Sequence, residues 1–416
     1  MTDESNNVRA VSWIEICPWV MLFSSFRVAI GVNVLLLALG GTYLSAVGWK
    51  FAGLCFQSHS GQAEDSGDDA KFRRLRDDLE AWPGYRASIN FEQFPQTSIQ
   101  RVPDALTALG QLPPWAAGRS IVEPIRGLFD QDLTWSRWLY FFCGGLWNIA
   151  VWSLFGLAIT RIAVVALGRR ESVLISEATV FAVRKWLSCF SAPLIPLMFV
   201  FAFAIPLVVL GWLMRANVGV LFAGVLWFVM ILIGLCMAVL SLGLMFGWPL
   251  MWGVIASEGT DAFDAISRSY SYTFQKPLQY LFYGAITAVL GALGWLVLGV
   301  ATETIIILIN WAVSSGTGAD RWHDLRPLPG DPSLSGMVRV GVLLMDFFNS
   351  LVRAIVPAFG NSFLWVAAGG TYLLLRQNAD QAETNDVFLD EDEQSTFTLP
   401  PIEEDPVGVT KVRPGA

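Results

Sequence analysis

The chain has 416 residues, of which 54% are hydrophobic and only 15% charged, with a mean hydropathy of +0.52. Soluble globules carry roughly 25% charged residues, so this composition excludes one and places the chain in a bilayer. The formal charge of −8 sits at one end: Met1 to Arg376 balances 25 basic against 25 acidic residues, whereas Gln377 to Ala416 holds 10 acidic residues against Lys411 and Arg413.

The N-terminal "MTDESNNVRAVSWIEICPWVMLFSSFR" has no basic region followed by a short apolar core and a small-residue cleavage site, so it does not read as a removable signal peptide. Its aromatic and aliphatic residues predict an interfacial segment over 1–27 leading into a first transmembrane helix at 28–49. Residues 50–137 form the one sizeable soluble segment. It contains "KFRRLRDDLE", which reads as helix, a loop with Pro83, Pro95, Pro103, Pro113 and Pro114, and the amphipathic "RSIVEPIRGLFD". So few apolar runs build at most a minimal core, predicting a segment that lies on the membrane or caps the bundle rather than an enzyme domain.

Crossing ~30 Å of hydrocarbon takes about 20 helical residues. Runs of that length recur near Trp138 to Thr160, Leu194 to Met214, Val218 to Leu250, Leu278 to Trp311 and Ala354 to Leu375, giving six spans with the first. Pro196 and Pro206 should bend the third, and "FGWPLMWG" around Pro249 offers a break in the fourth. "MVRVGVLLMDFFNSLVR" carries Arg339, Asp346, Asn349 and Arg353, too polar to span, and reads as an interfacial helix. The acidic tail over 377–416 has the composition of disorder and is a candidate protein-binding segment.

Basic residues in short loops set orientation. Arg9, Arg27, Arg161, Arg169, Arg170, Arg184, Lys185, Arg268, Lys276 and Arg376 lie on the side of the N-terminus, against Arg215, Arg321, Arg326, Arg339 and Arg353 opposite. Both termini are therefore expected in the cytoplasm and 50–137 outside it.

Between the fourth and fifth spans lies "SEGTDAFDAISRSYSYTFQKP", Ser257 to Pro277. At ~100° per residue Phe263, Ile266, Tyr270, Thr273 and Phe274 share one arc, with Asp261, Asp264, Arg268, Ser271 and Gln275 opposite, predicting an amphipathic elbow helix near 260–275. Ser257 or Thr260 is positioned to cap it, and Asp264 precedes Arg268 by four residues, the favourable order for an ion pair. A weaker copy, "SEATVFAVRKWLSCFSAPL", predicts another elbow near 176–190, with Val180, Val183, Trp186, Leu187 and Phe190 as its apolar stripe. The shared Ser-Glu-x-Thr start at Glu177 and Glu258 is consistent with a degenerate repeat or with chance.

The island, read with "YLLLRQNADQAETNDVFLDEDE", resembles a group of uncharacterised polytopic bacterial membrane proteins. It is distantly similar to the membrane domain of some glycerophosphodiester phosphodiesterases, where an E-G-x-x-A-x-x-x-S helix lies between spans. Glu258, Gly259, Ala262 and Ser269 fit that form loosely, and the catalytic domain of those enzymes has no counterpart here. The resemblance implies a multi-pass fold in the bacterial inner membrane and no reaction.

Glu303, the one carboxylate inside an apolar run, is the candidate ion or substrate contact, with Asn310 or Arg339 as partners; a plain interfacial position is the competing reading. Arg161 is expected to snorkel to lipid phosphate, and Asn33 and Asn148 to join helices. "EDSGDD" (Glu64, Asp65, Asp68, Asp69) lacks the order of a calcium loop, and His59 and His323 read as loop residues. The scattered Cys17, Cys55, Cys143, Cys189 and Cys236 read as buried or reduced thiols. No Walker loop, Rossmann glycine pattern, G-x-S-x-G or H-E-x-x-H occurs, so no catalytic residue, cofactor or metal site is assigned.

The expectation is therefore an all-α integral membrane bundle of about six transmembrane helices with two elbow helices. It is a non-enzymatic scaffold or accessory subunit whose partners are the bilayer and a protein bound through the tail, with no nucleic acid. The alternative is a small transporter or permease component.

Overall fold

The computed structural model describes residues 17–56, 67–80, 134–318, 336–388, 402–404 and 410–412, with a few single positions between them. A 3-10 turn (Pro18–Val20) precedes α1 (Met21–Ala29), α2 (Val32–Phe56) and α3 (Gly67–Glu80). Then come α4 (Trp135–Gly168), the elbow α5 (Ile175–Arg184), α6 (Trp186–Leu213) and α7 (Asn217–Glu258). The elbow α8 (Ala262–Gln275), α9 (Pro277–Thr317) and α10 (Gly336–Asp380) complete the bundle. Strands β1 (Ile402–Glu404) and β2 (Thr410–Val412) pair antiparallel, with Ile402 opposite Val412.

Six of these helices, α2, α4, α6, α7, α9 and α10, are long and apolar enough to cross a membrane. The chain is a multi-pass, all-α membrane bundle. In hydrocarbon each backbone N–H and C=O must be satisfied within its own segment, which is why apolar runs of this length become helices. Lipid tails are as apolar as leucine, so close packing rather than water exclusion joins them. The antiparallel pair α2 and α4 illustrates this. A Cβ on Gly48 would lie 1.8 Å from the Trp147 ring, and one on Gly144 would lie 2.1 Å from the Trp49 ring, so each indole occupies the gap that the other helix's glycine leaves.

The elbows mark one end of the bundle, here the elbow end. Around it the ends of α4, α7 and α10 pack on α1, α5 and α8, and the mid-bundle centre is aromatic. Trp252 and Trp365 stack with centroids 4.1 Å apart, Trp248 meets Trp365 edge-on at 5.3 Å, and Trp152 lies 6.1 Å away. The Trp252 indole N–H donates to the Cys189 carbonyl at 3.0 Å. Toward the opposite, far end the helices separate into hairpins, α6 with α7 and α9 with α10. There α3 packs Phe72, Leu75 and Leu79 against Trp49, Tyr140 and Phe141, a small satellite core built from "KFRRLRDDLE".

Several boundaries differ from the sequence reading. The first span occupies Val32–Phe56 instead of 28–49, and Lys50 lies inside it. Met21–Ala29, expected at the interface, is a separate helix with Met21, Leu22, Ser25 and Ala29 buried; Ser362 donates to the Ala29 carbonyl at 2.9 Å and Phe26 meets Phe359 edge-on. The first elbow stops at Arg184, because Lys185 leaves helical geometry at φ −98°, ψ 7°; Trp186 to Phe190 belong to the next span. Pro249 lies inside an unbroken α7, since a proline costs one backbone bond without ending a helix held by its neighbours.

The expected interfacial "MVRVGVLLMDFFNSLVR" is continuous with the last span in α10. The tail does not begin at residue 377 either: α10 runs to Asp380, and Gln381–Phe388 folds back onto the bundle. Residues 389–401 lie outside the described residues.

Candidate functional site

Charge at the elbow end gathers on Glu258, the last residue of α7. Its Oε1 accepts from the Tyr372 hydroxyl at 2.5 Å, its Oε2 faces Arg268 Nη1 at 2.7 Å, and Arg376 Nε lies 3.8 Å from Oε1. Arg376, itself 7% exposed, turns Nη2 to Asp386 at 2.6 Å. Beside this node the Tyr272 hydroxyl donates to Asp380, and Asn378 donates to the Tyr283 hydroxyl at 3.0 Å. Burial first, then the Asp380 hydrogen bond, push the Tyr272 phenol well above its ordinary range, so it stays a neutral donor.

The node fastens the segment that follows α10. Gln381 takes a positive φ of 57° to reverse the chain, and Phe388 N–H donates to the Ser257 carbonyl at 2.9 Å. Arg161 donates to the carbonyls of Ala256 at 2.7 Å and Phe388 at 2.6 Å, with its guanidinium 4.3 Å over the Phe181 ring. Arg169 donates to the Val387 carbonyl at 2.6 Å, and Val387 is buried. Gly259 caps α7 in the left-handed region, φ +64°, and a Cβ there would meet the Phe388 ring at 3.0 Å. The result is a clasp: three guanidiniums and one glycine hold eight residues of the C-terminal chain across the ends of α4, α7 and α10.

The predicted residues land as follows. Glu303 forms a two-point ion pair with Arg353, Nε to Oε1 at 2.9 Å and Nη2 to Oε2 at 3.3 Å, and not with Asn310 or Arg339. At ~1.5 Å per residue the pair sits about 40 Å from the elbow end on both α9 and α10, toward the far end of the bundle. Arg161 is 4% exposed and so does not reach lipid; backbone carbonyls of other segments hold it. Asn148 accepts from Ser45 and so joins α4 to α2, whereas Asn33 is exposed. Of the five thiols only Cys189 is buried; Cys55 and Cys236 are exposed. His59, His323, Glu64 and Asp65 lie outside the described residues, and Asp68 and Asp69 fall in the first turn of α3. Among the described residues no three His, Cys, Asp or Glu side chains converge as a metal site.

The elbows have the expected helices with rotated faces. α8 buries Ala262, Ala265, Ser269, Tyr272 and Thr273, while Phe263 and Phe274 point outward at 68% and 48% exposure. α5 buries Ala178, Phe181 and Ala182 and exposes Val180 and Val183. The predicted arcs are thus split: Phe263 and Phe274 of α8, and Val180 and Val183 of α5, face away from the protein, while Ile266, Tyr270 and Thr273 pack on the spans and small residues allow each elbow to approach them closely. The cap of α8 is Asp261, whose carboxylate accepts from Asp264 N–H at 3.0 Å, in place of Ser257 or Thr260. Arg268 turns to Glu258 rather than Asp264. Glu177 lies exposed inside the first turn of α5 whereas Glu258 ends α7, so the two glutamates occupy unlike positions.

Glu258 was missed as a hub because its most distant partners, Tyr372 and Arg376, lie more than 100 positions along the chain. The one usable signal was its company: Tyr372 and Arg376 lie one helical turn apart in an otherwise apolar run. Chemically, the carboxylate has both oxygens engaged by cations or a phenol, an arrangement that ties helices together. No protein family, no curated protein and no solved structure matches the chain.

Proposed function

We propose that the protein is a non-enzymatic scaffold or accessory subunit of the bacterial cytoplasmic membrane, with both termini cytoplasmic and an acidic tail that binds a protein partner. The clasp carries this reading. It commits Arg161, Arg169, Arg376, Ser257 and Gly259 to holding Gln381–Phe388, which fixes the point from which the acidic sequence continues. The outward Phe263, Phe274, Val180 and Val183 support elbows lying in the headgroup layer of that face. A tail that starts from a fixed point loses less freedom on binding than one hung from a loose linker.

The test is co-purification in mild detergent from cells making either the full chain or a chain ending after Phe388. Partners should leave with the tail. Recovery of every partner with the shortened chain would refute the tail's role, and labelling of a cysteine placed in the tail from outside intact cells would refute the orientation.

The Glu303 and Arg353 pair favours a second reading as a small transporter, because an ion pair between two spans can open to admit an ion or a polar substrate. Thiol-reagent scanning along α7 and α9 separates the two: a water-accessible stripe past Glu303 supports transport, and uniform protection removes it.

A further inference from the structure

The turn that joins α6 to α7 at the far end holds a cavity. Residues 214–216 connect the two helices, and the turn is tight: a Cβ on Gly219 would fall 1.8 Å from the Leu213 carbonyl oxygen, so the first turn of α7 lies directly on the last of α6. Beside that contact an open cleft of about 490 Å³ is walled by Trp212, Leu213, Val218 and Phe222, with Arg215 as its one charged group. Those four apolar side chains are 49–76% exposed. Arg215 is exposed as well and makes no ion pair among the described residues.

Two markers fix the depth of this turn. Gly243 and Gly247 of α7 make room for Tyr270 and Ser269 of the elbow α8, whose outward Phe263 and Phe274 suit the headgroup layer at the near face of the bilayer. From that level exposed apolar side chains continue along α7 from Phe246 to Val218, about 42 Å at 1.5 Å per residue, and a 40° tilt, the upper end of the usual range, projects this to about 32 Å. The hydrocarbon layer is ~30 Å thick. Val218 therefore lies at its far boundary, and Arg215, in the turn just beyond, lies among the headgroups of the opposite leaflet.

At that depth the cleft selects its occupant by chemistry. A hydrated free anion would find one cation and otherwise apolar walls, and a peptide would leave its backbone N–H and C=O groups without partners. A phospholipid matches both parts of the lining. Its phosphate meets the Arg215 guanidinium in a charge-assisted pair, its acyl chain lies on Leu213, Val218 and Phe222, and the Trp212 ring sits at the ester level, where amphipathic aromatic rings collect. We infer that the α6–α7 turn binds one phospholipid of the far leaflet by its phosphate, with Arg215 as the anchoring cation. This uses the depth of α8 and is independent of both the accessory-subunit and the transporter readings.

The experiment places the full chain in nanodiscs of phosphatidylcholine and phosphatidylglycerol and counts the lipids retained per chain by native mass spectrometry as the disc is stripped away. The parent chain should keep one phospholipid after the surrounding lipid has gone. Arg215→Gln should lower that retained fraction about tenfold through loss of a charge-assisted hydrogen bond, and Arg215→Lys should recover part of it. Ala216→Trp, which fills the cleft, should abolish it. Arg339→Gln, at an exposed arginine elsewhere in the far half, controls for general charge and should leave retention unchanged. All four substitutions are at exposed positions, and detergent melting of each variant checks that the fold is intact. Retention indifferent to Arg215→Gln, an equal fall in Arg339→Gln, or release of the lipid by millimolar inorganic phosphate, which would mark a site for the free anion, would each overturn the lipid site.

Discussion

The two halves of the bundle solve different problems with the same helices. In the elbow half, α4 has 78% of its most apolar window buried and the segment after α10 is tied by named charges; in the far half, the corresponding window of α7 has no buried residue. Apolarity in this chain therefore measures contact with lipid rather than burial in protein. The interior of the elbow half is built from indoles, small residues and a few polar side chains with specific partners, because in a membrane such groups have no good alternative environment. The far half is left to the bilayer and to neighbours, and so has little of its own structure to lose.

Perturbations should separate the halves sharply. The largest effect is expected from ending the chain after Arg376, which removes Asp386, Val387 and Phe388 from Arg376, Arg169 and Arg161; the product should lose folded yield in detergent, while ending it after Phe388 should leave melting unchanged. Equal melting of the two would mean that the clasp contributes nothing. Next, Arg161→Ala removes two charge-assisted hydrogen bonds, to the buried Ala256 carbonyl and the half-buried Phe388 carbonyl, a loss of about 4 kcal/mol at 1.5–3 each. A melting curve within error of the parent would contradict it. Gly259→Val forces a β-branched residue into the left-handed region against the Phe388 ring and should cost about 2–3 kcal/mol. Pairing it with Phe388→Ala should recover part of that loss, since the smaller side chain removes the clash but not the strain.

In the far half the effects shrink. A double-mutant cycle on Glu303→Gln and Arg353→Gln should give a coupling of about 1 kcal/mol, small because Arg353 is 29% exposed; a coupling above roughly 3 kcal/mol would place the pair in a drier setting than its exposure indicates. Smallest are the helix-end carboxylates of α8. Asp261→Ala should cost about 1 kcal/mol as the loss of a cap, and Asp264→Ala close to nothing, so a loss of function from the latter with normal expression would show that the elbow is itself a working site.

What the sequence made legible follows from which forces are local. Six spans and two elbows could be located because apolar length and the 3.6-residue period belong to single segments. The direction each elbow faces could not, since Phe263 and Ala265 are both compatible with a helix and only a neighbouring span, with Gly243 and Gly247 opening room for Tyr270 and Ser269, decides which turns inward. The ion pairs failed for a related reason. Asp264 is the local partner for Arg268, and Asn310 and Arg339 are the polar neighbours expected for Glu303, but Glu258 and Arg353 prevail because tertiary placement outweighs spacing along one helix. Arg161 shows the limit most plainly: an arginine at a span end ordinarily reaches for phosphate, and this one instead finds the carbonyls of Ala256 and Phe388, 95 and 227 residues further along the chain.

That last contact has a consequence for how the protein is made. Val387 and Phe388 follow Arg169 and Arg161 by 218 and 227 residues, and at ~5–20 residues per second the ribosome needs roughly 10–45 s to deliver them. Throughout that interval Arg169 and Arg161 of an early span lack the Val387 and Phe388 carbonyls, while Arg161 can already hold that of Ala256. The completed clasp is therefore a record that synthesis reached residue 388.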